Sequence, residues 1–494
     1  MRVKRASWSA IVGNNYTRVG INLCPDCSGP GHKTTYRSHM RSAPPGVSWA
    51  HPKIVYSITP VRSTEPLTDC VGLRGSGTFG SPERGCKDMS GYSKLGAMAA
   101  FAVMMTVVFS LPMSAGDAEK DWTILVYLDG DNNLEAYSDT SLEQLEMVGS
   151  DTNVNYVVLY DRLSTTADLY YVEKGESVPA GDEYGFPMEV NMADEAVLEE
   201  FLVNGIEDYP AENYAAMIWD HGGGWRGICW DDTTYEETGV DDCITMVELR
   251  DAFAGVYERT GEVVGVVGFD ACLMAMPEVG YQLRDYATYL VWSEETISAY
   301  SFPYDAMGFA LAAEPTMDAK EYAIMVAKEY AEFYGGMTGF VDWTISVFDT
   351  TYMDGLTAAV DYLGKELLAS LSTYVNAYQQ AYIQADRYYY PYNVDLIGFA
   401  QNLIGDATIQ DDGIRDAAEE VIIATEACVF AVFNGQHNVD STGLAIYMPS
   451  CHDGMKSLKP EYIEIPFATE TSWYDFCEAF SDFNGRTWVA EKIA

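Results

Sequence analysis

The strongest constraint in this chain is a repeated alternation of a short, uninterrupted apolar run with a longer stretch of helical periodicity. The runs lie at 122–128 (WTILVYL), 154–160 (VNYVVLY), 215–219 (AAMIW) and 263–269 (VVGVVGF), and a fifth begins at 289–292 (YLVW). Helical patterns fill 134–148, 193–206 and 246–259 between them. A strand that is apolar on both of its faces must be covered on both sides, which is the habit of parallel sheets with crossover helices. The expected fold class is therefore α/β, a three-layer α/β/α sandwich on a mostly parallel central sheet. Residues 168–172 read as part of an edge hairpin. From about 317 helices dominate (317–334, 351–385, 410–427) before strand-like runs return at 429–433 and 444–448. A soft boundary falls near 310–340, giving a core at 116–330 and a helix-rich C-terminal region at 331–494.

The N-terminal part is of another kind. Residues 1–88 hold 12 Lys/Arg against 5 Asp/Glu, and the remainder 17 against 69. They read as a doubtful extension of the reading frame, with Met89 a natural start. Lys94, the apolar run 95–111 (LGAMAAFAVMMTVVFSL) and Pro112-Met113-Ser114-Ala115-Gly116 follow in the order of a secretory signal. Residues 89–115 are thus expected to be a signal peptide or, if retained, a membrane anchor through 95–111, near the lower length limit of a span. Either reading puts the body outside the cytoplasmic membrane. The acidic body argues against nucleic acid as a partner, because phosphate binding needs clustered Lys/Arg. Cys24-x-x-Cys27 with His32, Cys70 and Cys86 fits no standard zinc spacing. Six cysteines remain in the body, and their connectivity cannot be read from sequence.

Reactive groups of open α/β sheets gather beyond the carboxyl ends of strands. His221 follows the third apolar run and Cys272 the fourth, with one helix between them, and a right-handed crossover sets such strand ends side by side. An ionised thiol is a nucleophile, and an imidazole can take its proton and later protonate a leaving amine. Gly222-Gly223-Gly224 lets backbone approach closely, so that the N–H groups of Gly222 and Cys272 can form an oxyanion hole. Taken singly, the cysteine also fits an inert core position and the histidine a turn. The body has only three histidines, 221, 437 and 452, and His221 alone lies in a glycine turn one crossover before a strand-end cysteine.

The His221-Gly pair and Asp270-Ala271-Cys272 resemble the dyad of caspase-like peptidases, and more specifically the clostripain family of cysteine peptidases. Residues 122–135 (WTILVYLDGDNNLE), Ser293-Glu294-Glu295-Thr296, Phe302-Pro303-Tyr304 and 443–449 (GLAIYMP) resemble it too, in order, over about 120–480. The resemblance implies a secreted cysteine endopeptidase acting on proteins or peptides with a basic P1 residue. It implies His221 and Cys272 as the catalytic dyad and Asp270 as the substrate-binding acid at the floor of S1. A carboxylate there suits the two-pronged guanidinium of Arg better than Lys. From the residue alone, Asp270 reads equally well as a turn former or helix cap.

The resemblance also implies self-cleavage after a basic residue between the dyad members. That interval offers only Arg226, Arg250 and Arg259, and 227–249 is acidic without any Lys or Arg. No cofactor is required for the chemistry, but the resemblance makes calcium possible. The acidic loop offers oxygen ligands, though no particular set. Asp129-Gly-Asp131-Asn-Asn133 begins like an EF-hand, but Leu134 and Thr140 occupy the places of its Gly and Glu, which excludes one. Two rivals remain: a non-catalytic, peptide-binding member of the fold, and an α/β-hydrolase esterase using His221–Gly224 as an oxyanion loop and His437 or His452 as base. The esterase lacks any G-x-S-x-G elbow.

Overall fold

The computed structural model describes residues 119–240, 242–450 and 452–493. Of the N-terminal part it describes only the antiparallel strand pairs Ala6–Val12 with Asn15–Ile21 and Thr35–Tyr36 with Tyr56–Ser57. The segment 89–115 lies outside the described residues. Among the described residues no helix is long and apolar enough to cross a membrane.

A nine-stranded sheet forms the centre. Strands β1 (Lys120–Gly130), β2 (Val154–Arg162), β5 (Ala211–Trp219), β6 (Val264–Asp270) and β7 (Ala287–Trp292) run parallel in the spatial order β2-β1-β5-β6-β7. The hairpin β3 (Thr165–Glu173) and β4 (Glu176–Pro179) extends one edge antiparallel, beyond β2. At the other edge β8 (Thr344–Asp349) and β10 (Val429–Asn434) do the same beyond β7. The chain after 340 therefore returns to the same sheet.

The apolar runs are buried on both faces because successive side chains of a strand point oppositely. Leu125 and Tyr127 of β1 enter one cluster with Leu198 and Phe201 of α2 (Glu195–Asp208) and Leu249 and Phe253 of α4 (Met246–Thr260). Ile124, Val126 and Leu128 enter the opposite cluster. There they meet Leu142 and Leu145 of α1 (Glu135–Val148), α6 (Tyr304–Ala313), and Val326 and Tyr330 of α7 (Ala319–Gly336). The crossover from β5 to β6 is punctuated locally. Thr245 and Glu248 form a capping box at the start of α4, and Gly261 ends it at φ 79°.

The 32-residue α8 (Met353–Gln384) with α9 (Leu396–Gly405), α10 (Asp412–Cys428) and α13 (Trp473–Ile493) thickens the first layer. The expected strand at 444–448 exists as β11 (Ala445–Tyr447) but pairs with β9 (Asn393–Asp395) in a small sheet of its own. The reason is its neighbours. Ala445 N–H donates to Ala275 O (2.9 Å), Tyr447 N–H to buried Glu278 Oε1 (3.0 Å) and Gly443 N–H to buried Glu294 Oε1 (3.0 Å). These bonds tie 443–447 to the segments on either side of β7 rather than to the sheet edge.

Candidate active site

In the parallel register of β5 and β6, Trp219 lies opposite Asp270, and Asp220 N–H donates to Asp270 O at 3.4 Å. His221 and Cys272 each stand two residues beyond that pair, so both leave the sheet at one edge, and both are half-buried. The two turns touch at Gly222. A Cβ there would sit 2.3 Å from Cys272 O and 2.7 Å from Cys272 N, a space only glycine leaves. Gly222 also bridges to Ile228 through Gly223 N–H on Gly227 O (2.9 Å) and Cys229 N–H on His221 O (3.4 Å). That bridge makes no use of the Gly222 N–H.

The turn at the end of β1, the strand beside β5, holds the histidine. His221 Nε2 lies 3.0 Å from Asn133 Oδ1. An amide oxygen can only accept, so Nε2 carries the proton and Nδ1 the lone pair. Asn132 Nδ2 donates to Asp220 Oδ1 (2.7 Å) and to Trp230 O (3.2 Å), while Trp230 N–H donates to Asp220 Oδ2 (2.6 Å). The residue before His221 is thereby fixed from both sides in a buried network.

Cys272 Sγ accepts Ile297 N–H at 3.3 Å and reaches Ile297 O at 3.6 Å. The 293–297 segment is set in turn by Leu273 N–H on Glu295 O (3.2 Å), Ala275 N–H on Ser293 O (3.0 Å), and Glu294 and Glu295 N–H on Thr344 Oγ1. Leu273, just after the sulfur, is held at φ 68°, a strained value for a branched residue. Burial, and after it the charges of Glu295, Asp270 and Asp220, pushes the Cys272 thiol up to about 12, against the opposing Ile297 bond. The sulfur at rest is therefore a neutral thiol.

Asp270 points to the α6/α7 face. Its Oδ2 accepts Phe302 N–H (3.0 Å) and the Ser301 hydroxyl, and Ser301 stands at φ 69°. Trp219 Nε1 donates to Ser301 Oγ (2.6 Å) and Tyr334 OH to Ser301 O (2.8 Å). The carboxyl is 4% exposed, and burial pushes it up to about 7, with the bonds from Phe302, Ser301 and Tyr304 pulling the other way. Tyr330 feels the charges of Asp270, Cys272 and Glu295 alike. The surroundings of the sulfur are thus acidic and aromatic, which suits a cation far better than an anion.

The sequence profile of the clostripain family matches residues 126–480. The chain belongs to the clostripain family of cysteine proteases. It is 25% identical to clostripain of Hathewaya histolytica over 72% of this chain and 79% of that protein. Two solved structures share the fold, which is caspase-like. One is a secreted C11 cysteine protease from Bacteroides thetaiotaomicron in complex with an irreversible peptide inhibitor (20% identity, 73% of this chain and 99% of that one, TM-score 0.52). The other is an inactive zymogen C11 protease from Parabacteroides distasonis (19% identity, 72% and 99%, TM-score 0.52).

Within this clostripain-family chain, several residues around His221 and Cys272 had no role assigned from sequence. Asn133 belonged to a quoted motif, but nothing in its spacing pairs it with His221. Ile297 acts through its backbone, which a sequence does not display. Glu295 and Ser301 come from a loop that only the fold brings to the strand ends. His437 pairs with Asp342 at the surface (2.8 Å) instead. Of the basic residues between His221 and Cys272, Arg226 is 8% exposed in a 3₁₀ turn, and Arg250 and Arg259 lie within α4. Cys229, Cys272, Cys428 and Cys477 are free thiols.

Proposed function

We propose that this protein is a secreted endopeptidase that hydrolyses the peptide bond after Arg, or after Lys, through Cys272 and His221. The observation that carries it is the Trp219–Asp270 register, since it delivers imidazole, sulfur and a buried carboxyl to one sheet edge.

The substrate carbonyl enters beside Cys272 with its oxygen toward the N–H groups of Gly222 and Cys272. His221 Nδ1 takes the thiol proton as the C–S bond forms, and the two N–H groups receive the oxyanion. The imidazolium then protonates the leaving amine, which departs and leaves a thioester. Water, deprotonated by the neutral imidazole, releases the acid and restores the thiol. Asp270 pairs with the P1 guanidinium, and Glu295 adds to the negative field. Coupling thiol deprotonation to substrate entry suits a sulfur that rests neutral.

Secretion rests on the signal-like segment 89–115 and on the description of the Bacteroides relative as secreted. Self-cleavage after Arg226, Arg250 or Arg259 is disfavoured in the folded state, because a protease needs an extended, accessible segment. The test is turnover of a fluorogenic Arg substrate by the purified chain and by its Cys272→Ala variant. Activity confined to the native protein supports the reading, and equal activity from the variant refutes it.

A further inference from the structure

Five aromatic rings from four parts of the chain touch in series beside Asp270. Tyr137 of α1 meets Tyr300 edge-on (ring centroids 6.0 Å apart), and Tyr300 meets Phe340 at 6.2 Å. Phe340 meets Tyr334 of α7 at 5.4 Å, and Tyr334 meets Tyr330 at 4.4 Å. Tyr330 and Tyr334 are buried, whereas Tyr137 is 39% and Tyr300 36% exposed, so the series runs from the core to the surface. Single exposed tyrosines are ordinary; a contacting pair that continues a buried series calls for a reason.

The turn that carries Tyr300 joins the two groups a substrate would meet. At one end Ile297 N–H donates to Cys272 Sγ, and at the other Ser301 and Phe302 hold Asp270 Oδ2. Between them Tyr300 N–H donates to Ser298 Oγ (3.3 Å) and Ser301 N–H to Ser298 O (2.8 Å), which leaves Tyr300 at the tip. Ser301 stands at φ 69°, a left-handed value that is costly for a residue other than glycine. With the chain turned there, buried Ser301 faces the carboxyl while Tyr300 faces solvent. Tyr137 reaches the same place from the His221 side. It follows shortly after Asn133, which accepts His221 Nε2–H, and lies one helical turn before Ser141, whose hydroxyl donates to Ser301 Oγ (3.2 Å).

We propose that Tyr137 and Tyr300 are specificity-determining residues that flank the P1 side chain and favour Arg over Lys. A P1 side chain that runs from a carbonyl at Cys272 to Asp270 must pass along the 297–301 turn, because that turn has one end on each. The ring at its tip then meets the passing stem and its charged head. A guanidinium is flat and weakly hydrated, so it stacks on an aromatic face while its edge keeps two hydrogen bonds for a carboxylate. An ammonium is compact and strongly hydrated, and gains less from the same ring. Asp270 attracts either cation, and the rings tell them apart. The assignment rests on the reading of Asp270 as the acid that receives P1, and its test separates the two.

Full-length protein and its Tyr137→Ala, Tyr300→Ala and Tyr300→Phe variants are assayed on peptides that differ only in Arg, Lys or norleucine at P1. Native protein should favour Arg over Lys in kcat/KM. That ratio should fall about two- to fivefold in each alanine variant, the worth of one exposed cation–π contact. Tyr300→Phe keeps the ring and should keep the ratio. Both alanine variants should still prefer a basic P1 to norleucine, a preference that Asp270→Asn removes. The two tyrosines stand on separate elements and are partly exposed, so one variant carries the test if the other fails to fold. Native protein indifferent between Arg and Lys, or a ratio unchanged in both alanine variants, would overturn the assignment and leave the peptidase reading standing. Failure of native protein to cleave after either basic residue would sink both.

Discussion

Asn133 Oδ1 accepts a hydrogen bond from His221 Nε2 at 3.0 Å, across two neighbouring parallel strands. The contact sets the imidazole tautomer, with the proton on Nε2 and the lone pair on Nδ1, the atom the proposed mechanism uses as base. Many hydrolases use a carboxylate behind the histidine; a neutral amide orients the ring without adding charge.

Replacing Asn133 with Ala should lower kcat about 10- to 100-fold, part of the roughly 10²–10⁴ that general acid–base catalysis supplies. KM should change little, because Asn133 acts through His221 and not on the substrate. Asn133→Asp, which keeps the acceptor, should recover much of the loss and shift the pH–kcat profile upward by stabilising imidazolium. Steady-state kinetics across pH decides it, and an unchanged kcat in Asn133→Ala would show that the contact is idle.

Asp270 carries a sign that can be worked out. Its carboxyl is pushed up to about 7, so it is largely neutral below that pH and anionic above it. A guanidinium needs the anion. The ratio of kcat/KM for an Arg substrate over a neutral P1 analogue should therefore rise between about pH 6 and 8, approaching tenfold per unit at the acid end. The ratio cancels the titration of His221. Asp270→Asn should flatten it and remove the basic preference, with the circular dichroism spectrum kept.

The resting thiol gives a third expectation. With Cys272 pushed up to about 12, only a trace is thiolate at pH 7. Alkylation by iodoacetamide should rise nearly tenfold per pH unit from 7 to 10. A rate that levels off near pH 7 would instead mean a preformed thiolate–imidazolium pair.

Gly222 supplies a stability test. A methyl group placed 2.3 Å from Cys272 O cannot be absorbed without moving one strand-end turn. Gly222→Ala should cost about 1–3 kcal/mol, read as a lowered calorimetric Tm, together with loss of Arg-substrate turnover. A fully active, equally stable variant would place the two turns farther apart.

Much of the architecture was readable because burial on both faces writes itself into a strand. Residues 122–128 and 263–269 admit no polar side, so their place in the middle of a covered sheet follows from composition. The strand-end rule then singled out His221 and Cys272 from few alternatives. The run at 444–448 shows the limit. Its apolar character predicted a strand, but its partner was chosen by the backbone acceptor Ala275 and the buried acids Glu278 and Glu294, remote in sequence.

What the sequence determined by itself was local and periodic: which segments alternate, where they must be buried, and which reactive side chains end them. What only the tertiary structure decided was who meets whom across long separations. Asn133 with His221, Ile297 with Cys272, Ser301 with Asp270, and Asp131 with Asp161 and Asp231 are all such meetings. The physical reason is that hydrophobic periodicity is a property of a single segment. A hydrogen bond or a cluster of carboxylates depends on distances of a few ångströms, which exist only once the strands have taken their register.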